Sequence, residues 1–211
     1  MRRIPGSRLE PNEKKNDGIG ALHGGERTLA AMPVDGALRA ELLAMAATAH
    51  DPEALRAHGD RLWEILDDYE CWPGRRLVGD EGSRAAWLVA QCAIDDVGLQ
   101  KRCLEALEDA VAAGDADPVD AAYLHDRVRM ADGRDQLYGS QFVLDRDGAL
   151  VPWPVDDVDA VERRRRRLGL ASFREHAAAM AAQWQARRDQ RGSDSDASSA
   201  ARQQYQAATD R

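Results

Sequence analysis

The sequence predicts a mostly α protein: a compact multi-helix domain with one small β-hairpin near residues 138–152 and disordered tails at both ends. Apolar residues recur at helical spacing through the middle of the chain, as in helices that bury one face. Asp-Pro pairs open two of these stretches, at Asp51-Pro52 and Asp117-Pro118, each a helix cap followed by a proline that presets the first turn. The period changes only in YGSQFVLDRDGALVPWP, where Asp147-Gly148 separates two extended apolar runs, a hairpin signal.

Residues 1–35 are rich in Gly, Pro and charge, lack periodicity, and read as a disordered extension in which Met32 is an alternative start of translation. Residues 36–190 read as a single helical domain. DGALRAELLAMAATAH predicts a first short helix. DPEALRAHGDRLWEILDDYE predicts a second, with Leu55, Leu62, Ile65, Leu66 and Tyr69 at helical spacing. CWPGRRLVGDEG reads as a break, with Pro73, Gly74 and Gly79 as turn residues. SRAAWLVAQCAI predicts the third helix, VGLQKRCLEALEDAVAAG the fourth with Gly114 at its end, and DPVDAAYLHDRVRMA the fifth. After the hairpin come DVDAVERRRRRLG and ASFREHAAAMAAQWQARRDQ; in the latter Ser172 and Glu175 have capping-box spacing. Residues 191–211 are polar, low in complexity, and read as a disordered tail.

Composition excludes several classes. The net charge of −8 argues against nucleic acid, which is bound through cationic surface. No apolar run reaches the roughly 18 residues of a membrane span, and the basic N-terminus lacks the apolar stretch of a secretory signal. Cys71, Cys92 and Cys103 form no C-x-x-C pair, and an odd count without a signal peptide points to a reducing cytoplasm.

Four predicted helices carry a polar residue on their apolar stripe. Gln91 shares a face with Trp87, Ala90 and Ile94. Gln100 lies with Cys103, Leu104 and Leu107. Asp126 lies with Ala122, Tyr123 and Met130, and Arg165 with Val161 and Leu168. Buried amides and charges are costly unless hydrogen-bonded. Four of them predict a shared polar centre, either a network that orients helices or a ligand cleft. GRDQLYGSQF, between the fifth helix and the hairpin, is expected to leave the helix at Gly133 and turn at Gly139. Tyr138 and Gln141 would then face Asp126.

WPGRRLVGDEGS, AAWLVAQ, YLHDRVRMADGRDQLYGSQF and VPWPVDDVDAVERRRRRLGL together resemble a bacterial domain-of-unknown-function family, numbered 6624, from about Ala37 to Met180. Its hallmark is D-R followed by G-x-x-Q-x-Y-G-[TS]-Q. The resemblance implies that Trp87, Gln91, Asp126, Arg127, Gly133, Gln136, Tyr138, Gly139, Gln141, Arg164 and Arg165 occupy motif positions. This chain departs from the pattern at Cys92, where the family usually has His, and at Cys71, where it usually has Gly. A catalytic or ligating role for that His would be lost in this chain.

Other constellations have simpler readings. The five histidines show no H-x-x-x-H or H-E-x-x-H pairing, so neither a metal nor another cofactor is expected. The pairs Asp67-Asp68, Asp95-Asp96 and Asp156-Asp157 suit helix caps and solvated loops. Ser140 has no G-x-S-x-G context, and Cys92 and Cys103 suit buried helix positions. The run Arg163 to Arg167 reads as a solvated helix face near a C-terminus.

The resulting expectation is a cytoplasmic protein with a polar cleft, possessing either of two functions. As an enzyme on a small polar metabolite or peptide, it would use Asp126 as acid/base and Tyr138 as proton donor, with Trp87, Gln91, Gln136, Gln141 and Arg165 binding substrate. As a non-catalytic ligand-binding or protein-interaction module, it would use the same residues to hold a ligand or the fold. An ion pair between Asp126 and Arg165 is expected, since each is otherwise a buried unpaired charge.

Overall fold

The computed structural model describes residues 35–190. The expected tails and the alternative start at Met32 lie outside the described residues. Within them run α1 (Gly36–Ala47), α2 (Pro52–Tyr69), α3 (Arg75–Cys92), α4 (Val97–Ala112), α5 (Pro118–Ala131), β1 (Phe142–Leu144), β2 (Leu150–Pro152), α6 (Val158–Arg167) and α7 (173–190). The fold is mostly α with one small hairpin, as the periodicities predict. No described helix is long and apolar enough to cross a membrane.

Local chemistry accounts for most boundaries. Asp35, Asp51, Asp96, Asp117 and Asp157 each accept a hydrogen bond from a backbone N–H in the first turn of the helix that follows. Two of the Asp-Asp pairs thus supply caps. Gly133 and Gly139 take φ of 70° and 65°, the left-handed region that glycine enters without strain. A Cβ on Gly139 would also collide with the Phe173 ring. The capping box holds: Ser172 Oγ donates to Glu175 Oε2 at 2.8 Å, and Glu175 N donates to Ser172 Oγ at 3.2 Å.

The third helix differs from its sequence reading. It begins at Arg75, inside the expected break, and is interrupted at Gly79 with φ 74° and ψ 170°. Its start is held from a distant loop, where Asp115 accepts from Arg75 N through its carbonyl and from Arg76 N through Oδ1, both at 2.8 Å. The helix also stops at Cys92, so Ile94 leaves the stripe and is 57% exposed.

Helices α1 to α5 bury one hydrophobic core, with α1 against α3 and α4 against α5. Leu42, Leu62, Ile65, Leu99 and Leu124 are fully buried in it, each contributing about 1.5–3 kcal/mol by leaving water. The hairpin pairs Phe142 with Pro152 and Leu144 with Leu150. Helix α7 docks on its tip, where Trp184 Nε1 and Arg188 Nη1 donate to Gly148 O at 3.0 and 2.9 Å.

Candidate functional site

The segment 132–141 leaves α5 and folds back along it. Asp126, wholly buried, receives that segment. Its Oδ1 accepts from Leu137 N at 2.7 Å, and both oxygens accept from Tyr138 N at 3.1 Å. Oδ2 also accepts from Ser140 N and Ser140 Oγ, each at 3.0 Å. Converging N–H groups that have lost their strand partners form a nest for one carboxylate.

The two glutamines brace the same segment. Gln136 Oε1 accepts from Gln141 N at 2.6 Å, while Nε2 donates to Gln141 O at 3.0 Å and Trp153 O at 2.6 Å. One amide side chain thereby pairs with a backbone as a strand would. Gln141 Nε2 donates to Tyr123 O at 3.2 Å and Ser140 Oγ at 3.0 Å. Gln141 therefore lies against α5 as expected.

Arg165 is 1% exposed but forms no ion pair with Asp126. Its Nη1 donates to Tyr138 O at 2.8 Å and its Nε to Ala171 O at 2.7 Å. The expected pair is corrected to an indirect one: Asp126 holds the N–H of Tyr138 and Arg165 holds its carbonyl. The reason is acceptor capacity, since loop donors already fill the carboxylate. Arg164, a rival partner in principle, reaches Leu137 O at 3.4 Å.

Trp87 and Gln91 stand apart from this cluster, on the contact of α3 with α5. Trp87 Nε1 donates to Asp120 O at 2.8 Å, and its ring meets Tyr123 edge-on at 6.3 Å. Gln91 Oε1 accepts from Arg127 Nε at 3.4 Å, and its Nε2 has no partner. Asp126 and Arg127, adjacent in sequence, thus serve different neighbours. Of the predicted site residues, the structure gathers Asp126, Gln136, Tyr138, Gln141 and Arg165 and separates Trp87 and Gln91.

Tyr138 is held by its backbone, and its side chain lines a recess of about 210 Å³ between α4, α5 and Leu168. Glu108, Val111, Ala121, Ala122 and His125 share the lining. The His125 ring lies edge-on to Tyr138 at 6.4 Å, and its Nδ1 is buried without a partner. Burial lowers the His125 imidazole below its usual 6.5, and burial raises the Tyr138 phenol above its usual 10. At neutral pH the recess therefore presents a neutral ring and a protonated hydroxyl. The sequence reading missed His125 and Glu108. His125 falls at i+7 from Pro118 and i+4 from Ala121, and that face was the available signal.

A larger cavity, about 470 Å³, lies between α2 and the α3–α4 loop, with Arg56, Asp60, Cys92 and Asp95 on its walls. Cys92 Sγ is 3.6 Å from His50 Nδ1, so an imidazole from the α1–α2 turn stands beside the position where the family pattern has His. Burial pushes the Cys92 thiol up. Among the described residues, no three His, Cys, Asp or Glu side chains are placed to hold a metal ion.

The model of the Family of unknown function (DUF6624) matches residues 37–185, and the chain belongs to that family. No curated protein and no solved structure matches the chain significantly.

Proposed function

We propose that this family member is a non-catalytic module that binds a small polar molecule in the recess beside Tyr138. One observation carries the reading: four donors of a single loop occupy the Asp126 carboxylate, and that loop presents Tyr138 to a recess that His125 also lines. A general acid or base must reach the proton that it moves. Asp126 is spent on its own backbone, which favours positioning over chemistry.

The size of the recess bounds the ligand. About 210 Å³ is below the roughly 300–1,000 Å³ of sites for drug-sized molecules. The ligand is therefore a few non-hydrogen atoms across, or one end of a longer molecule. Its apolar side packs on Val111, Ala121 and Ala122, and a polar atom meets the Tyr138 hydroxyl. Glu108 at the rim favours a neutral or cationic group.

A thermal-shift screen of small polar metabolites tests the proposal. Hits are expected to raise the melting temperature of the native chain and to lose most of that effect on Tyr138→Phe, whose own stability changes little. Hits that act equally on both proteins would place binding elsewhere. Chemical conversion of a hit during incubation would favour an enzyme.

A further inference from the structure

Arg127 lies in the middle of α5, half-buried beside the last turn of α3. Its hydrogen bond to Gln91 runs from Nε, so the two Nη groups keep their donors unassigned. No carboxylate among the described residues pairs with it. Asp120, two turns earlier on the same face of α5, is held by Arg84 at 2.5 Å, and Asp126 is filled by the loop. Cys92 beside it stays a neutral thiol, because burial raises its pKa. The end of α3 offers only the partial charge of its last carbonyls, about half an elementary charge.

Gln91 is the second observation. The residue is 7% exposed, its amide is turned by the contact of Oε1 with Arg127, and its Nε2 is buried with no acceptor. An uncompensated guanidinium beside an orphaned amide donor is an arrangement with donors and no acceptor. Buried charges and buried N–H groups are ordinarily satisfied.

We propose that Arg127 and Gln91 form a receptor for an oxyanion, a carboxylate or phosphate group, at the contact of α3 and α5. The guanidinium fork matches two oxygens of such a group, and Gln91 Nε2 adds a third donor. One turn back on each helix, Trp87 and Tyr123 meet edge-on at 6.3 Å. They offer an apolar wall to the body of an organic anion. The site is separate from the Tyr138 recess.

The test compares the melting temperature of the full chain in chloride, phosphate, acetate and benzoate at matched ionic strength. Phosphate or a carboxylate at millimolar concentration is expected to raise it above the chloride value. Arg127→Gln should lose the rise, whereas Arg166→Gln, at an exposed arginine, should keep it. An NMR titration of the native chain supplies a readout independent of variant folding: the Gln91 side-chain amide signal should move with the effective anion. A response to phosphate alone assigns a phosphoryl group, and a response to carboxylates alone, stronger for benzoate, assigns an organic acid. No rise above chloride with any probe, or an equal rise in Arg127→Gln, would overturn the proposal. A Tyr138→Phe variant that keeps the anion response while losing metabolite binding separates the two sites.

Discussion

At Asp126, one carboxylate satisfies three backbone N–H groups and a hydroxyl that the turn out of α5 leaves without partners. Removing it strands those donors in the interior, each at a cost of about 1–3 kcal/mol. Asp126→Ala is therefore expected to destabilise the protein by about 3 kcal/mol or more in urea unfolding. Asp126→Asn retains one acceptor oxygen and should lose less. A loss under about 1 kcal/mol for the alanine variant would show that the segment does not depend on this carboxylate. Arg165 acts on the other backbone group of the same residue, the Tyr138 carbonyl. Its effect is consequently coupled to Asp126 through Tyr138 rather than through a shared ion pair.

The elements obtain their ends from two sources. Five helices begin at an aspartate that caps them locally. The start of α3 has no side-chain cap of its own; Gly74 occupies that position, where a Cβ would collide with Asp115. Asp115 instead caps the helix from the loop before α5, across 39 residues of sequence. Asp115→Ala should cost about 0.5–2 kcal/mol, the range for a lost helix cap. Amide exchange should accelerate first at Arg76 and in the turn that ends at Gly79. Unchanged exchange there, with the loss spread evenly, would assign Asp115 a different role.

For the whole molecule, buried titratable groups set how stability responds to acid. His125 and His176 both have imidazoles lowered from 6.5, in each case chiefly by burial. The unfolded chain takes up those protons near 6.5 while the native state does not, so stability falls as pH drops below 6.5. Asp120 has the opposite sign. Burial raises it from 3.8 to about 6 against the pull of Arg84, so the native state binds its proton first. That group adds stability as pH falls from about 6 toward 3.8. His176→Gln should make the loss below pH 6.5 shallower than in the parent. Asp120→Asn should make it steeper between about 6 and 3.8. Parallel curves for parent and variants in guanidinium unfolding would contradict these assignments.

The helical class, the caps, the hairpin at Asp147-Gly148 and the inward placing of Gln91, Gln100, Asp126 and Arg165, which are all 7% exposed or less, were legible in the residues alone. These are local properties: capping works within three residues, and a helical stripe repeats every 3.6. The partners of these groups were set by tertiary packing. Asp126 is satisfied by backbone N–H groups 11 to 14 residues away, which carry no side-chain signature, and Arg165 by a carbonyl 27 residues away. The same path of the chain left Trp87 and Gln91 at the contact of α3 with α5, bonded to Asp120 and Arg127 rather than to Asp126, although their spacing had placed them on one polar centre with Asp126. Periodicity reports that a side chain points inward; what it meets there depends on how the turns at Gly133 and Gly139 aim the backbone.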